Sequence, residues 1–309
     1  MAFIPLIWIP DYKRVAIRRS LLQRQGETHM KLGYSTWGMP TVPIDRAISH
    51  IANLGFDGIE LTIIPRFTTE LSTLDAAERK RIATLLKQHN LALPAIAAHS
   101  NLLETDVDAH AKNMWRLKGG VDLAVELAQG GELPAVNTTP GGKPDQWETK
   151  KDFLAERVGE LVEYGASRGV TIAMEPHIGA IVDTPDKVLE LLEIVNSPYL
   201  KVNFDISHFD IVGMPTEETV SALAAVSAHT HVKDQRGIHP DFEFLIPGEG
   251  TFDYVDYLKR MEAHGYNGFI TAEVSFMVQA RENYDPLAAA TLSYQTLSKA
   301  FVDAGIERN

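Results

Sequence analysis

The chain has 309 residues, 45% hydrophobic and 23% charged, an ordinary composition for a soluble globular protein and long enough for one large domain. It has no cysteine, which excludes disulfides, thiolate metal sites and cysteine nucleophiles, so a metal would have to be held by oxygen and imidazole nitrogen. A net charge of -12 without a basic stripe argues against nucleic acid as a partner.

Residues 1–29 stand apart. Lys13, Arg14, Arg18, Arg19 and Arg24 face only Asp11 and Glu27, a basic segment on an otherwise acidic chain. Its opening MAFIPLIWIP is apolar but short and carries two prolines. No charged region precedes it and no small-residue cleavage site follows, a poor fit to a signal peptide. No stretch reaches the ~18–20 apolar residues of a membrane span. We read 1–29 as an N-terminal extension, 30–309 as the catalytic unit, and the location as cytoplasmic.

From Met30 onward, short apolar runs alternate with stretches of helical period. The strand Lys31–Ser35 precedes a helix over Ile44–Leu54, whose Ile44, Ala47, Ile48, Ile51 and Leu54 form one stripe. Gly58–Leu61 precedes the helix Ala76–His89, and Ala92–Ala98 precedes Ala109–Leu127. Ala135–Asn137 is paired with Phe153–Arg168, and Val170–Glu175 with Thr184–Val195, which opens on a Thr-Pro cap. Leu200–Asp205 leads to Thr216–Ala225, Thr230–Lys233 to Tyr254–His264, and Phe269–Val274 to Pro286–Ala304. Asn90, Gly130, Gly169 and Gly265 fall where helices end, as left-handed terminal residues do. Eight such units of about 35 residues predict an α/β fold of the (β/α)8 TIM barrel type. A doubly wound open sheet would need a glycine-rich phosphate turn after the first strand, and GYSTWGMP is no G-x-G-x-x-G.

Active sites of such barrels lie at the C-terminal ends of the strands. Glu60, His99, Asn137, Glu175, Asp205, His231 and Glu273 end or adjoin the ends of strands two to eight. Glu175, Asp205, His231 and Glu273 come from consecutive strands and form a candidate metal set. Three carboxylates and an imidazole suit Mn²⁺ first, with Mg²⁺, Co²⁺ or Zn²⁺ as alternatives. A carboxylate ending an apolar strand is costly unless compensated. The competing explanation is that each pairs with a nearby Lys or Arg. Glu60, His99 and Asn137 are candidate substrate contacts. His208, three residues after Asp205, is a candidate ligand for a substrate oxygen, or else a loop histidine bonded to backbone. His177, two after Glu175, is a candidate base or substrate contact. HVKDQRG adds Lys233 and Arg236, with a local Lys233–Asp234 ion pair as the alternative. PGEG at 247–250 offers Glu249 and turn amides, or is merely a turn. Trp37 either stacks on a sugar face or packs in the core.

MEPH (174–177), NFDISH (203–208), HVKD (231–234), PGEG (247–250) and TAEV (271–274) together resemble the xylose isomerase-like barrel superfamily, in its sugar-phosphate isomerase/epimerase group. That group includes ketose 3-epimerases, inosose dehydratases and hydroxypyruvate isomerases. The resemblance spans Met30 to about Ala304. It implies that Glu175, Asp205, His231 and Glu273 hold the metal, that Glu175 and Glu273 also move protons, and that His208 contacts substrate. Arg236 stands one residue short of the family's substrate arginine. The epimerases' additional glutamate falls on Ile181. MEPH looks closer to the C-glycoside-cleaving branch, in which a histidine two after the glutamate is the base and a small partner subunit is needed. A trinuclear-zinc nuclease is also in the superfamily, but two of its histidines are replaced here, by Asn137 and within Asp241-Phe242-Glu243.

The expected activity is a metal-dependent sugar isomerase or epimerase working through an enediolate. A keto-sugar lyase with His177 as base and a non-catalytic sugar-binding barrel are the alternatives. The expected partners are a small-molecule sugar and further copies of the same chain, with no nucleic acid or membrane.

Overall fold

The apolar runs become strands whose residues are buried on both faces, as a parallel sheet covered by helices requires. The computed structural model describes residues 29–308, so the predicted extension, His29 apart, lies outside the described residues. The strands in chain order are β1 (Lys31–Ser35), β2 (Gly58–Thr62), β3 (Ala95–Ala97), β4 (Ala135–Thr138), β5 (Ile172–Met174), β6 (Leu200–Asp205) and β7 (Ser227–Val232). A hairpin of β8 (Asp234–Ile238) and β9 (Asp241–Leu245) follows, and then β10 (Phe269–Ala272). Strands β1 to β7 pair in order, β10 pairs with β7 and β1, every pairing is parallel, and the barrel closes. This is the predicted (β/α)8 barrel.

The main helices of the outer layer are α1 (Ile44–Leu54), α2 (Ala76–Gln88), α3 (Val107–Ala128), α4 (Trp147–Ser167) and α5 (Pro185–Val195). A four-residue turn α6 (Ser207–Asp210) precedes α7 (Thr216–Leu223) and α8 (Tyr254–Ala263). A second short turn, α9 (Phe276–Gln279), precedes α10 (Pro286–Ala304). Their starts are chemically marked. Asp75, Asp106, Thr184, Asp253 and Asp285 each accept a hydrogen bond from a backbone N–H of the first turn. In α1 the stripe Ile44, Ala47, Ile48 and Ile51 is buried, while Leu54 is only partly covered. Asn90, Gly130, Gly169 and Gly265 all have positive φ.

Three differences from expectation have physical causes. The third strand is shorter than Ala92–Ala98 because Pro94 has no N–H for the ladder; Ala92 survives only as an isolated bridge to Gly58. Helix α4 starts six residues early, at Trp147, whose indole is buried and donates to Glu190. The segment after β7, to which the sequence reading assigned no element, forms the β8–β9 hairpin. Asp234 ties it to the PGEG turn, accepting from the N–H groups of Gly248 (2.9 Å) and Phe252 (3.1 Å). Gly250 is required there, since a Cβ would lie 2.2 Å from Asp234 Oδ1. Among the described residues no helix is long and apolar enough to cross a membrane.

Candidate metal centre

Parallel register brings the charged strand ends to one level. Asp205 stands beside His231 across the β6–β7 ladder, and His231 beside Thr271 across β7–β10. Glu175 lies one residue past β5 and Glu273 one past β10, yet neither is loose. The Glu175 N–H donates to the Thr138 carbonyl (2.8 Å) and the Glu273 N–H to the Val232 carbonyl (3.0 Å).

Glu175, Asp205, His231 and Glu273 each offer a ligand atom within 4.8 Å of all the others, and all four are buried. Ligands at ~2.1 Å from one ion are at most ~4.2 Å apart, so adjustments of a few tenths of an ångström would close the set. His231 Nδ1 lies 3.4 Å from Glu273 Oε1 and 3.7 Å from Glu175 Oε1. Asp205 is oriented by Ser207, whose N–H (3.0 Å) and hydroxyl (2.6 Å) donate to Oδ1, leaving Oδ2 for the cluster. The donor set is oxygen-rich with one imidazole and fits a divalent ion.

Lys233 is buried against the same cluster. Its ammonium pairs with Asp205 Oδ2 and lies 2.6 Å from Glu273 Oε2. It therefore makes no local pair with Asp234. Three carboxylates against one fixed cation leave a net negative pocket, which favours a further cation. Burial alone would raise the Glu175 carboxyl; its bond to His231 and the charges of His99, His231 and Lys233 hold it well below the usual range. For Asp205 burial is likewise overcome, chiefly by Lys233. Burial would lower His231, but Glu60 and Glu273 raise it well above an ordinary imidazole.

Around the cluster, His208 Nε2 lies 3.5 Å from Asp205 Oδ2 and 3.8 Å from Glu175 Oε1, and burial pushes its pKa down to about 3. His177 stacks on His208 with ring centroids 3.9 Å apart. Its Nδ1 lies 2.7 Å from the Ile178 carbonyl. His99 Nε2 is 3.4 Å from Glu175 Oε2. The half-buried Trp37 packs edge-on against His99 and beside Phe67 and the exposed Phe276. His99, Trp37, His177, His208 and Lys233 are thus gathered on the metal set.

Three further candidate substrate contacts lie outside the metal set. Glu60 and Asn137 are fully buried in the barrel interior and bonded to each other at 2.5 Å. Arg236 is exposed on the hairpin, bridging Glu243 (2.8 Å) and the Glu249 carbonyl (3.2 Å). Glu249 pairs with Arg281. Sequence reading missed Asn203, whose Nδ2 lies 3.3 Å from Glu175 Oε2 and 3.2 Å from His231 Nδ1. It also missed His229. Both stand two residues before a ligand on the same strand, so alternation alone places them on the ligand's face.

A family model described as "Xylose isomerase-like TIM barrel" matches residues 48–292. Among curated proteins, fructoselysine 3-epimerase of Shigella flexneri is 26% identical over 80% of this chain and 91% of its own. Inosose dehydratase of Clostridium botulinum is 23% identical over 88% of this chain and 94% of its own. A crystal structure of the IOLI protein with a binding zinc atom superposes with a TM-score of 0.70 at 20% identity, covering 89% of this chain and 98% of that one. At that identity it shares the fold.

Proposed function

This chain belongs to the xylose isomerase-like TIM barrel family, and from that premise we propose that it is a divalent-metal-dependent isomerase or epimerase of a ketose or keto-sugar. The observation that carries the reading is the convergence of Glu175, Asp205, His231 and Glu273 on one buried point. The named epimerase and dehydratase relatives support the same class of chemistry.

Glu175, Asp205, His231 and Glu273 would hold the ion, with Mn²⁺ favoured by the carboxylate-rich set. When bound, the ion supplies Lewis-acid stabilisation of the charge that develops on a hydroxy-ketone as its neighbouring C–H ionises. Glu175 or Glu273 takes that proton, and the other carboxylate returns it. Return to the same carbon from the other face epimerises; return to the adjacent carbon isomerises. Lys233 holds the Glu273 carboxylate in place through its 2.6 Å contact. His208, neutral because its pKa is pushed down to about 3, offers an imidazole to a substrate oxygen. Trp37 and Phe276 form an aromatic wall beside His99 for the apolar face of a sugar.

A lyase is the second reading, favoured by one feature of His177. If its Nδ1 donates to the Ile178 carbonyl, Nε2 keeps the lone pair of a base. Loss of a leaving group from the carbon next to the enediolate then gives elimination. The deciding experiment is a metal-supplemented screen of ketoses, inososes and 3-keto-glycosides in deuterated water. Deuterium incorporation into an intact sugar supports the isomerase or epimerase, and release of a leaving group supports the lyase. An absence of turnover together with an absence of stoichiometric metal would sink both.

A further inference from the structure

Beneath the metal set lies a second polar cluster, sealed from solvent. Glu60, at the level of Ser35 on the neighbouring strand, is fully buried. Its Oε1 accepts from the Ser35 hydroxyl at 2.5 Å, and its Oε2 from the Asn137 amide at 2.5 Å. Both carboxylate oxygens face His231 Nε2, at 3.1 and 3.0 Å. His229 Nε2 is 3.2 Å from Oε2. The other nitrogen of the same His231 ring, Nδ1, faces Glu175 and Glu273. His231 therefore spans two clusters, one nitrogen to each.

We propose that Glu60 is a positioning residue that fixes the tautomer and ring orientation of His231, so that Nδ1 is presented to the metal. The inference rests on the metal-centre reading above. A carboxylate flanking Nε2 on both oxygens demands the hydrogen there. With Nε2 held by Glu60, Nδ1 is the nitrogen turned toward Glu175 and Glu273, and the Asn203 amide lies 3.2 Å from it. An imidazole so held is also a more basic ligand, the usual effect of a carboxylate behind a metal-bound histidine. Ser35 and Asn137 lock Glu60 in turn, each from a different strand. Glu60, His229 and His231 could themselves enclose a second ion. Against this, the carboxylate already faces hydrogen-bond donors from Ser35, Asn137 and His231.

The test uses the full chain. Zn²⁺ is titrated into wild type, Glu60→Gln and Glu60→Asp by competition with a chromophoric chelator, and histidine ¹⁵N spectra are recorded on each zinc-loaded protein. Wild type should bind one Zn²⁺ with His231 protonated at Nε2. Glu60→Gln should bind ~10–100-fold more weakly, with the His231 ¹⁵N shifts moved, and Glu60→Asp should recover part of the affinity. Unchanged affinity and an unchanged ¹⁵N pattern in Glu60→Gln would overturn the proposal while leaving the metal centre intact. Two ions per wild-type chain would overturn it in favour of a binuclear site. A wild type that binds no stoichiometric ion would remove both the proposal and the reading beneath it. Should Glu60→Gln not fold, Glu60→Asp decides: weaker zinc affinity with moved His231 ¹⁵N shifts sustains the idea, and wild-type affinity and shifts refute it.

Discussion

The Lys233 ammonium lies 2.6 Å from Oε2 of Glu273 and also pairs with Asp205, so one buried cation serves two of the four candidate metal ligands. Removing one partner of a buried ion pair leaves the other charge uncompensated, at a cost of ~3–5 kcal/mol. In Lys233→Met that penalty falls on Asp205 and Glu273, and a bound divalent ion would relieve it. The variant should therefore melt well below wild type in chelator and gain more from added Mn²⁺ than wild type gains. Differential scanning fluorimetry, with and without the ion, reads both. Equal melting temperatures in chelator would show that Lys233 does not balance these carboxylates.

Both glutamates are assigned to proton transfer. Glu175→Gln and Glu273→Gln keep size and shape but remove the base, and each should lower kcat by at least ~10²-fold. Circular dichroism should remain that of a folded barrel. Near-wild-type turnover in either variant would exclude that carboxylate from the proton path. Exhaustive chelation should abolish turnover in wild type, and added Mn²⁺ should restore it.

These four ligands were legible because each ends a strand whose apolar run is unmistakable, and a parallel barrel brings all strand ends to one rim. Glu60 was read as a strand end for the same reason. The second strand runs two residues further, to Thr62, which leaves Glu60 in mid-strand with its side chain in the barrel interior. Its partner His231 is 171 residues away in sequence, and no local pattern announces that contact. Asn137 follows Glu60 into the interior. Arg236 lies apart from the metal set because the β8–β9 hairpin, to which the sequence reading assigned no element, pairs it with Glu243 and carries its side chain into solvent. Pro94 was visible from the start, and its lack of an N–H was sufficient reason to shorten the third strand.

Alkaline stability follows from the buried phenols. Burial raises the pKa values of Tyr34, Tyr254 and Tyr257 well above 10, and also those of Tyr266 and Tyr284. Above pH ~10 the unfolded chain loses protons that the folded chain keeps, so folding stability falls as pH rises through that range. Absorbance at 295 nm should show Tyr34, Tyr254, Tyr257 and Tyr266 ionising only with cooperative unfolding, seen in parallel by circular dichroism. Their gradual ionisation in a folded protein would contradict the burial.

His177 separates the two enzymatic readings. Its ring lies 3.9 Å, centroid to centroid, from that of His208, which contacts two of the metal ligands, and its Nε2 is not used by the carbonyl contact at Nδ1. If elimination is the reaction, His177→Ala removes the base itself and should lower kcat by ~10²–10⁴-fold. If the protein epimerises, Glu175 and Glu273 carry both protons, and the same variant should disturb mainly KM through the lost stacking on His208. Steady-state kinetics of His177→Ala and His177→Gln across pH 5–9, on the substrate found in the screen, distinguish the cases. A collapse of kcat with an unchanged KM would count against the epimerase assignment and favour the lyase.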